Sequence, residues 1–279
     1  MNIPKYIESF RNEITRKGYR KNSVDSYVAC VGVFLQHFDG IVTEPMRINE
    51  AQIKDYLRSF KSDNTQRANH SAIKCFYKYV LNQPNKFRYI EYCRKEKRLP
   101  IVLSVDEIQR MFNACENLKH RVILSLLYSC GLRVSELLNL KWSNIDRSRM
   151  VINIIGGKGN KDRQVMLSEQ LIPLLANYWR EYRSVEYVLN GQGGSSQYSQ
   201  RSVGEVVKQL ATKAGIDNKR VYTHLIRHCS FTHMVESGVD VNIIQRIAGH
   251  SSVKTTNIYL HTSHNLISKT YSPLQSIQL

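Results

Sequence analysis

The sequence lacks paired cysteines, long apolar runs and an even balance of charge, and each lack narrows what the chain can be. Cys30, Cys75, Cys93, Cys115, Cys130 and Cys229 are scattered, with no C-x-x-C pair among them. Most lie between apolar neighbours, as Cys130 does in "LLYSCGL", so they read as reduced core thiols. No stretch approaches the roughly 18 apolar residues that span a bilayer. The N-terminus "MNIPKYIESF" has no apolar centre of the kind a signal peptide carries. A soluble, cytoplasmic protein with no membrane partner is the expectation. Acidic residues are far outnumbered by basic ones: 23 Asp+Glu stand against 40 Lys+Arg, a formal net charge of +17 over 279 residues. Such an excess points to a polyanionic partner, and nucleic acid is the commonest one for a soluble protein. Residues 1–103 carry 19 basic and 10 acidic side chains, and both halves of the chain are basic. That distribution suits a protein gripping DNA with two parts better than a domain with a basic tail.

The apolar fraction, 42%, is enough for proper cores. In "NSVDSYVACVGVFLQHF", Val24, Tyr27, Val28, Val31, Phe34, Leu35 and Phe38 recur at three- and four-residue steps, an amphipathic helix with Asn22 or Ser23 as its cap. "IPKYIESFRNEITRKG", "NEAQIKDYLRSF" and "NTQRANHSAIKCFYKYVLN" supply the rest of a four-helix domain over 1–85. Residues 86–103 hold a proline, a run of basic side chains and no sustained period. They read as an interdomain linker, either lying along a phosphate backbone or merely solvated. Helical periodicity resumes at Ser104 with "SVDEIQRMFNACE", and residues 104–279 form a second domain. In it "MVINIIGGKGNKDRQVML" alternates branched apolar residues on both sides of a Gly-rich centre, a hairpin signature. The fold class expected is mainly α with a small antiparallel β-sheet.

Several residues carry possible chemistry, and each has a plainer reading beside it. Arg133, after the glycine in "GLRVSEL", can point its guanidinium and nearby backbone N–H groups at an anion; it can equally be a surface arginine paired to Glu136. Lys158 sits at the tip of "GGKGNKD", where glycines allow close approach to a ligand, although hairpin tips are often lysine-rich for solubility. His224 and His228 in "THLIRHCSFTH" share a helix face, as zinc ligands do, but Arg227 lies on or near that face and disfavours a cation. His224 and Arg227, three apart, can instead both donate to phosphate oxygens, with His228 and His233 left structural or on the surface. His250 follows Gly249 directly, and Tyr259 is nine residues on; a core aromatic is the plain reading of that tyrosine.

Taken in order, "GLRVSELLNLKW", "GKGNKDRQVML", "HLIRHCSFTHMVESG" and "IAGHSSVKTTNIYLH" resemble the tyrosine recombinase, or phage-integrase, family of site-specific recombinases. The resemblance covers essentially all of 104–279, and the helical first domain is more loosely similar to the family's SAM-like core-binding domain. It implies a catalytic set of Arg133, Lys158, His224, Arg227, His250 and the nucleophile Tyr259, with Glu136 in a supporting place. Two small departures, alanine before Gly249 and Thr232 after Phe231, replace no catalytic residue. The layout is similar to Xer-like recombinases and small mobile-element integrases.

The resemblance further implies that Tyr259 attacks a DNA phosphodiester, giving a 3′-phosphotyrosyl link and a free 5′-hydroxyl. His224 is the leading base, Arg133, Arg227 and His250 hold the phosphate oxygens, and Lys158 protonates the leaving oxygen. No cofactor and no metal are called for. The partner is double-stranded DNA, clamped between the two domains, with a homotetramer on two DNA sites and a monomer in free solution compatible with that scheme. Leu266 and Ile267 are candidate anchors for a tail packed on a neighbouring protomer. The rival readings are a non-catalytic DNA-binding regulator on the same fold, a type IB topoisomerase-like enzyme and, last, a zinc-dependent nuclease.

Overall fold

Apolar residues at helical steps fold the first part of the chain into α1 (Ile3–Arg16), α2 (Lys21–His37), α3 (Glu50–Arg58) and α4 (Asp63–Tyr79) in the computed structural model. The structure describes residues 1–92, 101–156, 162–191, 197–216, 221–250 and 252–262. The chain divides into two units, Met1–Arg98 and Leu99–Leu279. In the first, α2 packs on α1 and α4 around Phe10, Phe34, Phe76 and Tyr77. Aromatic rings meet edge to face there, Phe10 on Phe76 at 5.6 Å and Phe34 on Tyr56 at 5.2 Å, the arrangement their quadrupoles favour. α3 opens with a capping box between Asn49 and Gln52. α2 starts earlier than the sequence suggests: Arg20 is its first flanking residue and provides no side-chain cap.

The stretch expected as a linker over 86–103 is packed at both ends. Phe87 and Ile90 are buried in the bundle core, and the ring Nε2 of His70 lies 2.7 Å from the Ile90 carbonyl oxygen. At the other end Leu103 belongs to the core of the second unit. Apolar side chains at 87, 90 and 103 explain the difference: a charge run between them hides three residues that gain by burial. Residues 93–100, which hold the basic run Arg94 to Arg98, lie outside the described residues, as do the hairpin tip with Lys158 and the tail with Leu266 and Ile267.

The second unit begins with α5 (Val105–Asn113), where Ser104 and Glu107 form a capping box. α6 (Leu118–Ser129), α7 (Val134–Leu138), α8 (Leu171–Tyr182) and α9 (Gln200–Lys213) follow, with α10 (Thr223–Glu236), α11 (Val241–Ala248) and α12 (Val253–Thr262) completing it. The strands β1 (Ile145–Asp146), β2 (Val151–Ile154) and β3 (Arg163–Met166) pair antiparallel in the order β1-β2-β3. The expected hairpin is β2–β3, in a register that sets Ile152 opposite Val165 and Ile154 opposite Arg163. α10 is the central helix. It packs on α6, α11 and α12, and its residues from Leu225 to His233, His228 apart, are buried. A helix buried almost all round must satisfy its polar side chains inside the protein. His233 does so with the Tyr128 hydroxyl at 2.8 Å and the Leu103 carbonyl at 2.9 Å, and the Leu103 N–H donates to Cys229 Sγ.

Candidate active site

Two glycine turns and one short helix bring the charged residues of the second unit together. Gly131, at φ +56°, ends α6; a Cβ there would lie 2.6 Å from Phe231 Cζ, so the turn closes against α10 only with glycine. Arg133 follows as the residue preceding α7. Its backbone N–H donates to Glu136 Oε2 at 2.8 Å and its Nη1 to Glu136 Oε1 at 2.7 Å. The two readings of Arg133 therefore merge: it is paired to Glu136, which also takes the backbone N–H that was expected to face an anion.

Arg227, 1% exposed, is the largest fully buried side chain among the described residues. Its Nη1 donates to the Gly131 carbonyl and its Nη2 to the Ala248 carbonyl at 2.6 Å, with Glu136 Oε2 at 3.9 Å. Arg133 Nη2 donates to the same Ala248 oxygen at 3.1 Å. Both arginines thus rest on the last carbonyls of α11, the negative end of its dipole. The pair leaves each guanidinium other N–H bonds for a further acceptor.

Arg163 was not singled out from sequence, yet it joins this cluster. Its Nη1 and Nη2 donate to the two oxygens of Glu136 at 2.6 and 2.8 Å, and its Nε to the Ile247 carbonyl at 2.6 Å. Alternation along "RQVML" contained the signal: Arg163 shares a strand face with Val165 and Leu167, both buried. Burial acts to raise the Glu136 carboxyl, but the bonds from Arg163 and Arg133 outweigh it and hold it down at about 2. Burial and the neighbouring Arg133 push Arg227 down to about 9, against the pull of Glu136, so its guanidinium is charged at pH 7. Three positive charges around one carboxylate leave two in excess.

The aromatic wall of the site comes from α10, α11 and α12. Gly249, at φ +61°, caps α11, and His250 projects from the turn with its Nδ1 3.0 Å from Thr256 Oγ1. The Tyr259 ring, 3% exposed, lies nearly parallel to His250 with centroids 6.2 Å apart, and meets Phe231 at 5.5 Å and His228 at 5.6 Å. Burial raises the Tyr259 hydroxyl, and the charges of Arg227 and Arg133 draw it back. Burial, then Arg227 and Arg133, pushes His250 down to about 4; burial, then His224, does the same to His228. Both are neutral at pH 7.

His224 sits exposed in the first turn of α10, its ring edge-on to His228 at 4.7 Å. The expected shared face of these two histidines is present, and Arg227, between them in sequence, is buried. His228, expected as a structural or surface residue, bridges His224 and the Tyr259 ring. Among the described residues no group of three His, Cys, Asp or Glu side chains is placed to hold a metal ion, and no helix is long and apolar enough to cross a membrane. Arg133, Glu136, Arg227, His250 and Tyr259 converge, with His224 reaching them through His228. Lys158 lies outside the described residues.

Residues 102–265 match the phage integrase family, and residues 6–86 match the phage integrase N-terminal SAM-like domain. A putative integrase/recombinase, y4qK of Sinorhizobium fredii, is 32% identical over 265 residues, covering 93% of this chain and 85% of the relative. Tyrosine recombinase XerA of Pyrococcus furiosus is 30% identical over 261 residues, covering 91% and 88%. The crystal structure of XerA recombinase superposes over the full length of both chains at 28% identity, with a TM-score of 0.57. A lambda integrase dimer bound to a COC' core site shares the fold at 14% identity, with a TM-score of 0.75 over 91% of this chain and 97% of that one. The matched catalytic and SAM-like regions, with the arginine cluster set beside a tyrosine, make this chain a member of the phage integrase family, the tyrosine recombinases, enzymes that cleave and rejoin DNA strands.

Proposed function

We propose that Tyr259 is the nucleophile of a site-specific strand exchange on double-stranded DNA, with Arg133 and Arg227 as the phosphate ligands. One observation carries this reading: the two arginines meet on the Ala248 carbonyl, in a cluster with two positive charges in excess, beside the buried tyrosine. A phosphodiester carries one negative charge and gains a second when an oxyanion attacks it. The cluster therefore complements the pentacoordinate state better than the ground state, which is the condition for catalysis.

The Tyr259 oxygen attacks phosphorus, the bond to the 5′-oxygen breaks, and a 3′-phosphotyrosyl link holds the strand. The phenol proton must leave as the bond forms. His224 is the candidate base, and His228, neutral and against the Tyr259 ring, lies between the two. His250, fixed by Thr256, donates from its outer nitrogen to a phosphate oxygen. By the family resemblance Lys158 returns a proton to the departing 5′-oxygen. The reverse attack by a partner strand's 5′-hydroxyl restores the diester without ATP, since the link conserves bond energy. A homotetramer holding two DNA sites would bring those partner strands together.

The test uses nicked duplexes of randomised sequence in excess chelator, followed by capture of protein covalently joined to DNA. An adduct from the unaltered chain, lost in Tyr259→Phe while DNA binding persists, is the expected result. No adduct with any duplex, or one that needs a divalent metal, overturns the proposal. Relaxation of supercoiled DNA without a selected site would replace recombination by topoisomerase action.

A further inference from the structure

The reaction just described gives Arg163 no task, yet few side chains in the second unit are more fully engaged. It is 8% exposed, and all three of its guanidinium nitrogens have protein acceptors: both oxygens of Glu136 and the Ile247 carbonyl. Those acceptors come from α7 and from the end of α11, 27 and 84 residues away in sequence. The neighbouring backbone leaves room for it. A Cβ at Gly249 would lie 2.9 Å from Arg163 Cδ, so the residue before His250 is bare where the arginine side chain crosses it.

We propose that Arg163 is a positioning residue, setting the Glu136 carboxylate that orients Arg133 and pinning the end of α11 from which His250 projects. The inference rests on reading Arg133, Arg227 and His250 as the phosphate site. Without Arg163 the carboxylate keeps its bonds from Arg133 and the more distant Arg227, and can swing with the Arg133 guanidinium. The α11 terminus keeps its two contacts at Ala248 but loses the one at Ile247. Both shifts displace phosphate ligands, and displacement on the order of 1 Å costs about 100-fold in rate. Lysine cannot stand in fully, because a single ammonium lacks the planar fork that grips both carboxylate oxygens.

The experiment measures single-turnover adduct formation by the full chain on a nicked duplex recovered by the covalent capture above, with DNA affinity measured in parallel. Arg163→Gln is expected to slow adduct formation by about 100-fold and to leave affinity within about twofold. Arg163→Lys is expected to recover part of the rate. The lower break in the acid limb of the pH–rate profile, below the one that the base sets, is the more specific readout. Glu136 is faced by Arg133 from just before α7, by Arg163 from β3 and by Arg227 from α10, while α11 offers carbonyls. Removing Arg163 lets Glu136 protonate at higher pH, so this break moves upward; a general loss of structure lowers the rate at every pH alike.

A rate for Arg163→Gln close to that of the unaltered chain overturns the inference, as does affinity falling in step with rate or an unmoved break. Should Arg163→Gln not fold, Arg163→Lys decides: a folded variant of unaltered rate overturns it, and a slower one of unaltered affinity supports it. No adduct from the unaltered chain overturns the reading of the site and takes this inference with it. A normal adduct rate in the Arg163 variants removes this inference alone.

Discussion

The first unit fills its centre with Phe10, Phe34, Phe76 and Tyr77, whereas the largest fully buried side chain described in the second is Arg227, which shares the carboxylate of Glu136 with Arg133 and Arg163. Fully burying an aromatic or aliphatic side chain contributes about 1.5–3 kcal/mol. Burying an ion costs several kcal/mol before its partners repay it, and replacing a buried ionic cluster with apolar residues is often neutral or stabilising. Stability alone accounts for the aromatic centre. It does not account for the charged one, which the proposed phosphate site would explain.

Four substitutions separate the roles of the two centres. The largest effect is expected for Arg227→Met. Adduct formation should fall about 1,000-fold, the upper range for loss of one transition-state donor. Stability should change by less than about 2 kcal/mol, because Glu136 keeps Arg133 and Arg163. Thermal melting beside single-turnover cleavage checks both, and a large loss of stability with cleavage retained would reverse the contrast.

Glu136→Ala comes next, since it leaves three guanidiniums without their carboxylate and should cost about 3–5 kcal/mol. The pH dependence of melting gives the same quantity by another route. With the Glu136 pKa held at about 2 rather than its ordinary 4.5, the carboxylate contributes about 3 kcal/mol above pH 4.5, and that contribution is lost as pH falls toward 2. His228 and His250, lowered to about 4 from 6.5, remove stability in a separate window as pH falls from 6.5 to 4. In Glu136→Ala the lower window should flatten and the upper one should persist.

Phe76→Ala, in the aromatic centre, should cost about 3–5 kcal/mol by transfer and cavity. It should leave the pH profile of cleavage by folded protein unchanged; a moved profile would show that the two centres are not separate in function. Gly249→Ala is the smallest, about 1–3 kcal/mol for a side chain held in the left-handed region. Melting and the cleavage rate together test it, and an unaffected rate would argue that the turn before His250 tolerates displacement.

Local signals made most of the fold legible. The Ser104–Glu107 capping box, the alternation of β2 and β3 and the stop at Gly249 are each written in a few neighbouring residues. The linker boundaries were harder, because Phe87 and Ile90 sit beside a charge run whose composition hid their burial. Within the site, Arg133, Arg227, His250 and Tyr259 were recognisable from ordered motifs, and the structure brings them together. Arg163 was not, since its partners are distant in sequence and its strand face identifies it only once β3 is known to be buried. The place of His228 against Tyr259 depended on how α10 and α12 pack, which no spacing along the chain states.

In the proposed reaction Tyr259 carries the covalent bond to DNA. Digesting the captured adduct and locating the nucleotide by mass spectrometry of the peptides tests it most directly. A nucleotide phosphate on the Tyr259 hydroxyl, present in excess chelator and absent in Tyr259→Phe, is the expected result. A nucleotide on any other residue would contradict it.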